Sequence, residues 1–233
     1  AWQFPFYLYG AAFLVVGIVY WYVPETAGDM ATERSLRGTL RVYARSIASE
    51  FGDPRLVVVM LGGFFRFFSL FAFLTFVPIF AVRSLGASSF LAGFVVAMAG
   101  IRILLGPTAG WWVSRYSRRW TLLASIAVQL GVFALIPLAP NVWVLAGLAV
   151  CYGAGDALFD PVINDATTSM VAAHNRNGIV GGLRVLKEAG KTAAPVALGV
   201  ALAVGGYPAL FYSLVVALAG YAVAVVVFLD SVV

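Results

Sequence analysis

In the stretch GAGDALFD (153–160), Asp156 and Asp160 stand one helical turn apart, in a run from 141 to 162 that is otherwise almost wholly apolar. An ionised side chain in such surroundings is costly unless it is paired or hydrated. These carboxylates have company. Arg66 and Arg102 interrupt two other apolar runs, and Arg184, Lys187, Glu188 and Lys191 interrupt a further one. The last four share one helix face at steps of three, four and seven, and Asp156, Asp160, Asn164 and Thr167 share another. The two stripes are expected to face each other, with Lys191 level with Asp156 and Asp160 and paired to them. Apolar surroundings disfavour a charged carboxylate and a neighbouring cation favours it. Groups so balanced can take up and release protons, and Asp156 is the residue expected to do so.

The elements that must carry these groups are long and apolar. The chain has 233 residues, 62% of them hydrophobic and 11% charged, against about 25% charged in a soluble domain. Seven apolar blocks, at 2–23, 56–82, 88–113, 120–139, 142–170, 178–204 and 208–229, each approach or exceed the roughly 20 residues that cross a bilayer as a helix. The fold class is therefore all-α, a polytopic transmembrane helical bundle. At 1.5 Å per residue, Arg66, Arg102 and Asp160 lie roughly 16 Å from one end of their blocks, and Asp156 and Lys191 roughly 20 Å, near the membrane midplane.

The formal charge of +5 is no nucleic-acid signal, because the basic residues are sorted by loop. Arg34, Arg37, Arg41, Arg45, Arg55, Arg115, Arg118, Arg119 and Arg176 fall in alternate connections, and the other connections hold only Arg83. This positive-inside bias places 24–55, 114–119 and 171–177 in the cytoplasm, the start of the chain outside, and the C-terminus inside, in a cell membrane (inner or plasma). Trp2, Trp21, Trp111, Trp112, Trp120 and Trp143 sit at block ends, where indoles prefer the interface. In 24–54, Leu36, Leu40, Tyr43, Ile47 and Phe51 recur opposite an arginine face. That pattern predicts an amphipathic surface helix. Asp53 and Pro54 then read as cap and first turn of the next helix. The expected domains are a spanning helix at 1–23, a cytoplasmic linker at 24–54 and a six-helix membrane domain at 55–233. The chain opens at Ala1 within an apolar block and without a signal-peptide pattern, so it is read as the C-terminal piece of a longer protein. Cys151 has no disulfide partner and His174 is the only histidine. No metal and no cofactor are expected.

Blocks one, four and seven carry no internal charge, whereas two, three, five and six do. Pro161 follows Asp160, and Pro195 lies four residues past Lys191. Both are expected helix hinges. The rings of Phe64, Phe65, Phe67, Phe68, Phe71, Phe73 and Phe76 are expected for the most part to face lipid.

These features resemble the C-terminal half of a major facilitator superfamily transporter, from helix six through helix twelve. The stretch 106–122, GPTAGWWVSRYSRRWTL, is similar to the family's loop motif between the second and third helices of a half. Gly110, Arg115, Arg118 and Arg119 match it, while Ser114 replaces its Asp and Ser117 its second Gly. VPETAG (23–28) resembles the signature after a sixth or twelfth helix, and 181–199 resembles an eleventh helix. The resemblance implies that blocks two, three, five and six line a central cavity. Arg66, Arg102, Asp156, Asp160, Asn164, Arg184, Lys187, Glu188 and Lys191 would then face solute and protons. It also implies a missing N-terminal six-helix half as partner, beside the lipid bilayer, and a conformational role for the loop motif. With Ser114 in place of Asp, that role passes to the arginines, with Asp165 as a candidate partner.

Gly153-x-Gly155-Asp156, with PAL at 208–210, also resembles the GxGD signature of intramembrane aspartyl proteases. Such an enzyme needs a second carboxylate from another helix, and the preceding block, 120–139, has neither Asp nor Glu. A non-transporting sensor or scaffold is the third alternative; the abundance of mid-membrane charge speaks against it. The reading is thus a secondary active transporter, not an enzyme, working by symport or antiport and including efflux, proton-coupled and moving a small organic solute. Five mid-membrane cations against three carboxylates point to an anionic or zwitterionic one.

Overall fold

The computed structural model describes residues 4–22, 52–171 and 175–229. The expected linker helix up to residue 51, the VPETAG stretch, Trp2 and His174 lie outside them. The chain divides into two compact units, Ala1–Val42 and Tyr43–Val233. In the first, α1 (Phe4–Tyr22) is an apolar helix of 19 residues, about 28 Å long.

The second unit begins where expected. Asp53 caps α2 (Pro54–Leu85), its carboxylate accepting from the Arg55 amide at 2.8 Å, with Pro54 in the first turn. Gly86, at φ +65°, ends α2 in the left-handed conformation that glycine adopts without strain. Ser88 then caps α3 (Ser89–Met98) and Asn141 caps α6 (Val142–Met170), each through its side-chain oxygen. Between them run α4 (Ile101–Arg115) and α5 (Arg118–Leu135), the latter closed by a 3-10 turn at Ile136–Leu138. The last element, α7 (Arg176–Phe228), has 53 residues. Unbroken it would run about 80 Å, far beyond a hydrocarbon core of roughly 30 Å. It is broken at Gly205 (φ −135°, ψ 16°) and Gly206 (φ +70°, ψ −165°), which gives two arms, 176–204 and 207–228. Among the described residues five helical segments are long and apolar enough to cross a membrane: α2, α3 taken with α4, α5 with its 3-10 turn, α6, and the two-armed α7. The chain is an all-α polytopic membrane protein.

The block at 88–113 departs from expectation. It is two helices, not one, interrupted at Ala99 and Gly100. There the amides bond three residues back, Ala99 to the Val96 carbonyl at 3.2 Å and Gly100 to the Ala97 carbonyl at 2.8 Å, a tighter turn than the α-helix. By contrast α6 and α7 run on through Pro161 and Pro195.

Helix α6 is the hub, in contact with α2, α3, α4, α5 and α7. Missing side chains allow the approach. A Cβ at Gly153 would strike the carbonyl oxygen of Ala99, in the joint between α3 and α4, and one at Gly155 would lie 3.0 Å from the Val128 side chain of α5. Helix α2 lies against both arms of α7: Gly190 meets the Phe64 backbone in the first arm, and Phe65 stacks on Tyr221 of the second at 4.8 Å. The expectation that the α2 rings face lipid is overturned. None of the seven is exposed, and Phe68, Phe73 and Phe76 are buried. With helices on two sides of α2, its rings fill the interior; Phe73, for instance, stacks on Tyr152 at 4.3 Å.

Candidate functional site

The close contacts at Gly153 and Gly155 bring α4 and α5 onto α6 beside Asp156. Its side chain is fully buried and both oxygens meet arginines. Arg66 of α2 donates from Nε to Oδ1 at 3.0 Å and from Nη2 to Oδ2 at 3.2 Å. Arg102, one residue into α4, donates from Nη1 to Oδ2 at 3.1 Å. The break at Gly100 thus opens the helix that carries this second arginine. Its partner across the break is Gly153, so the glycines of GAGD serve the packing that seats the Asp. This accounts for the GxGD pattern without a protease.

Asp160 is placed differently. Its side chain is 35% exposed, and it meets two cations from two helices, Arg66 Nη1 at 3.1 Å and Lys187 Nζ at 2.9 Å. Lys187 also donates to the Asn164 side chain at 3.1 Å. Arg66, Arg102 and Lys187 therefore carry three positive charges against two on Asp156 and Asp160. Removing one partner of a buried pair strands the other, so the network ties α2, α4, α6 and α7 together.

The expected pairing of Lys191 with these aspartates is not formed. Lys191 donates to Glu188 Oε1 of its own helix at 2.6 Å, and its ammonium lies over Phe67 at 4.9 Å and Phe71 at 5.8 Å. Asp156 is already enclosed by arginines, and Lys187, one turn nearer the start of α7, takes Asp160. Arg184 is exposed and has no ion-pair partner among the described residues.

The loop-motif residues gather at the arginine-rich end. Arg118 Nε donates to Asp165 Oδ2 at 2.6 Å, the partner expected for it. Arg119 donates to the Val226 carbonyl at 3.0 Å, and Arg115 lies 5.6 Å from the Trp111 ring. Gly110 is exposed, with open space where a Cβ would stand.

The charge pattern gave no sign of a buried neutral cluster one turn from the arginines. Ser69 donates to Gln129 Oε1 at 2.5 Å and meets the Tyr152 hydroxyl at 3.1 Å, all three being fully buried. The signal that could have found it was the presence of Gln129 deep in the apolar, uncharged block 120–139.

Fold and site define a polytopic helical membrane protein whose helices carry a paired-charge network within their apolar spans. No curated protein matches the chain. The profile of the Major Facilitator Superfamily matches residues 59–232, which takes in every charge of the network, and the chain belongs to that superfamily. It is a transporter of the superfamily.

Proposed function

We propose that the chain is helix six to helix twelve of a twelve-helix secondary carrier that moves a small organic solute by alternating access, with proton coupling by symport or antiport. On this reading 1–23 is the last helix of the other half, 24–54 the cytoplasmic linker, and 55–233 one wall of the cavity. The protein sits in a cell membrane with its C-terminus inside, as the arginine distribution indicates.

The observation that supports the reading is the inequality of the two aspartates. Asp156 is sealed between arginines, which suits a part in holding the helices. Asp160 is part-exposed and shared by Arg66 and Lys187, which suits exchange. A proton on Asp160 removes the charge that holds Lys187, and the released ammonium can then take an anionic group of the solute. The solute's anionic group and the Asp160 carboxylate thus compete for the same cations, and a proton on Asp160 favours the solute. Proton exchange is assigned here to Asp160 in place of Asp156. Pro161 and Pro195 remain the proposed hinges, and Gly110, Ser114, Arg115, Arg118 and Arg119 the proposed conformational loop.

The test is uptake by the full carrier in vesicles under an imposed pH gradient. Asp160→Asn is expected to keep solute exchange at equal pH and to lose gradient-driven accumulation. Undiminished accumulation by that variant would refute the coupling role.

A further inference from the structure

We infer that Lys191 occupies a built-in seat for an organic ammonium group, and that the solute is a zwitterion whose ammonium displaces it. The inference rests on the proposed solute carrier and specifies the substrate class of that site.

The groups around the Lys191 ammonium are those that recognise a cationic ligand: the Phe67 ring at 4.9 Å, the Phe71 ring at 5.8 Å and Glu188 Oε1 at 2.6 Å. A lysine that served only to join helices would pair with a carboxylate across the interface. Lys191 does not. Its anion is on its own helix, three residues away, and the Glu188 side chain is 57% exposed. Phe67 is also crowded, because Arg66 at 4.9 Å and Lys187 at 5.8 Å approach the same ring. Three like charges around one ring repel one another, and Lys191 is the one of the three without a cross-helix carboxylate. Its long flexible stem lets it leave.

Which solute can take the seat follows from what the departing lysine needs. A simple cation would strand Lys191 among Arg66, Lys187 and Arg184. A simple anion has nothing to put on the rings. A zwitterion supplies both charges: its ammonium takes Phe67, Phe71 and Glu188, and its carboxylate takes the displaced Lys191. Arg184, two turns back on the same face and without an ion-pair partner among the described residues, is a second carboxylate acceptor.

The test is binding to the purified full carrier in detergent with no pH gradient. The probes are radiolabelled tetramethylammonium and its carboxymethyl analogue, trimethylammonioacetate. In the unaltered protein the zwitterion is expected to bind about tenfold more tightly than the monocation. Lys191→Met vacates the seat, so tetramethylammonium is expected to gain about tenfold and the preference to vanish. Adding Glu188→Gln to Lys191→Met is expected to remove that gain. If Lys191→Met binds tetramethylammonium no better than the unaltered protein, the inference is overturned.

A second measurement needs no variant. Acylation of Lys191 by an amine-reactive ester, read by mass spectrometry, is expected to rise with trimethylammonioacetate and to stay level with acetate. No rise overturns the inference. Neither measurement depends on a proton gradient, so loss of the ammonium seat and loss of the coupling role of Asp160 give separate results.

Discussion

Arg66 grips Asp156 side-on, with Nε on Oδ1 at 3.0 Å and Nη2 on Oδ2 at 3.2 Å, across 90 residues of sequence. The same guanidinium reaches Asp160 from Nη1 at 3.1 Å. One rigid planar fork therefore fixes the rotation of α2 against α6, which a flexible lysine could not do.

Because that pair is buried, breaking one side of it is expected to be severe. Arg66→Met and Asp156→Asn are each expected to lower stability by about 3–5 kcal/mol. Arg66→Met combined with Asp156→Asn is expected to lose less than the sum, since each change removes the charge that the other strands, and Arg102 alone is left without its carboxylate. Thermal unfolding in detergent measures the cycle; additive losses would mean that the pair contributes no coupling.

The close glycines yield a contrast within single helices. Gly153→Ala and Gly190→Ala each drive a methyl group into a backbone carbonyl, of Ala99 and Phe64. Losses of about 1–3 kcal/mol are expected. Gly147→Ala and Gly199→Ala, on the same two helices, place the methyl in open space and are expected to be neutral or slightly stabilising. Equal melting temperatures across the four variants would contradict the close approach.

Lys187 and Lys191 differ by one turn and are expected to behave differently. In a double-mutant cycle with Asp160→Asn, Lys187→Ala is expected to show coupling of about 0.5–3 kcal/mol, since the two side chains meet at 2.9 Å. Lys191→Ala is expected to be additive with Asp160→Asn. Coupling for Lys191 and none for Lys187 would reverse the assignment.

The Arg118–Asp165 pair is a partly exposed one, with side chains 28% and 45% exposed. Arg118→Ala is expected to change stability by less than about 1 kcal/mol, and the effect is expected to shrink in high salt. A loss of several kcal/mol that salt does not reduce would show that the contact is sealed from solvent.

Much of this was legible in the residues. A bilayer demands long apolar runs, so the spans of α2, α5 and α6 and both arms of α7 could be bounded from composition alone. Asp53 and Pro54 announced the start of α2, because cap and first-turn chemistry is local. The charged groups announced themselves because charge is scarce in apolar runs. The break at Ala99 and Gly100 was hidden, since the one charge in 88–113, Arg102, marks a polar group within the apolar run and says nothing of where the helix turns. The Ser69, Gln129 and Tyr152 cluster was hidden too, because neutral polar groups carry no charge to count.

The sequence by itself determined the class of protein and the set of ionisable groups within its apolar runs. These are one-dimensional properties, set by the length, hydrophobicity and charge that hydrocarbon tolerates. The tertiary structure alone decided who meets whom. Spacing shows that Lys187 and Lys191 share a face, but whether Asp160 meets the first or the second depends on the rotation and crossing of α6 and α7. Those are set by contacts such as Gly153 on Ala99 and Gly190 on Phe64. A shift of one helical turn, about 5.4 Å, exceeds the reach of a hydrogen bond. The pairing of Arg66 with Asp156, and the seating of Lys191 on Phe67 and Phe71, are therefore properties of helix packing.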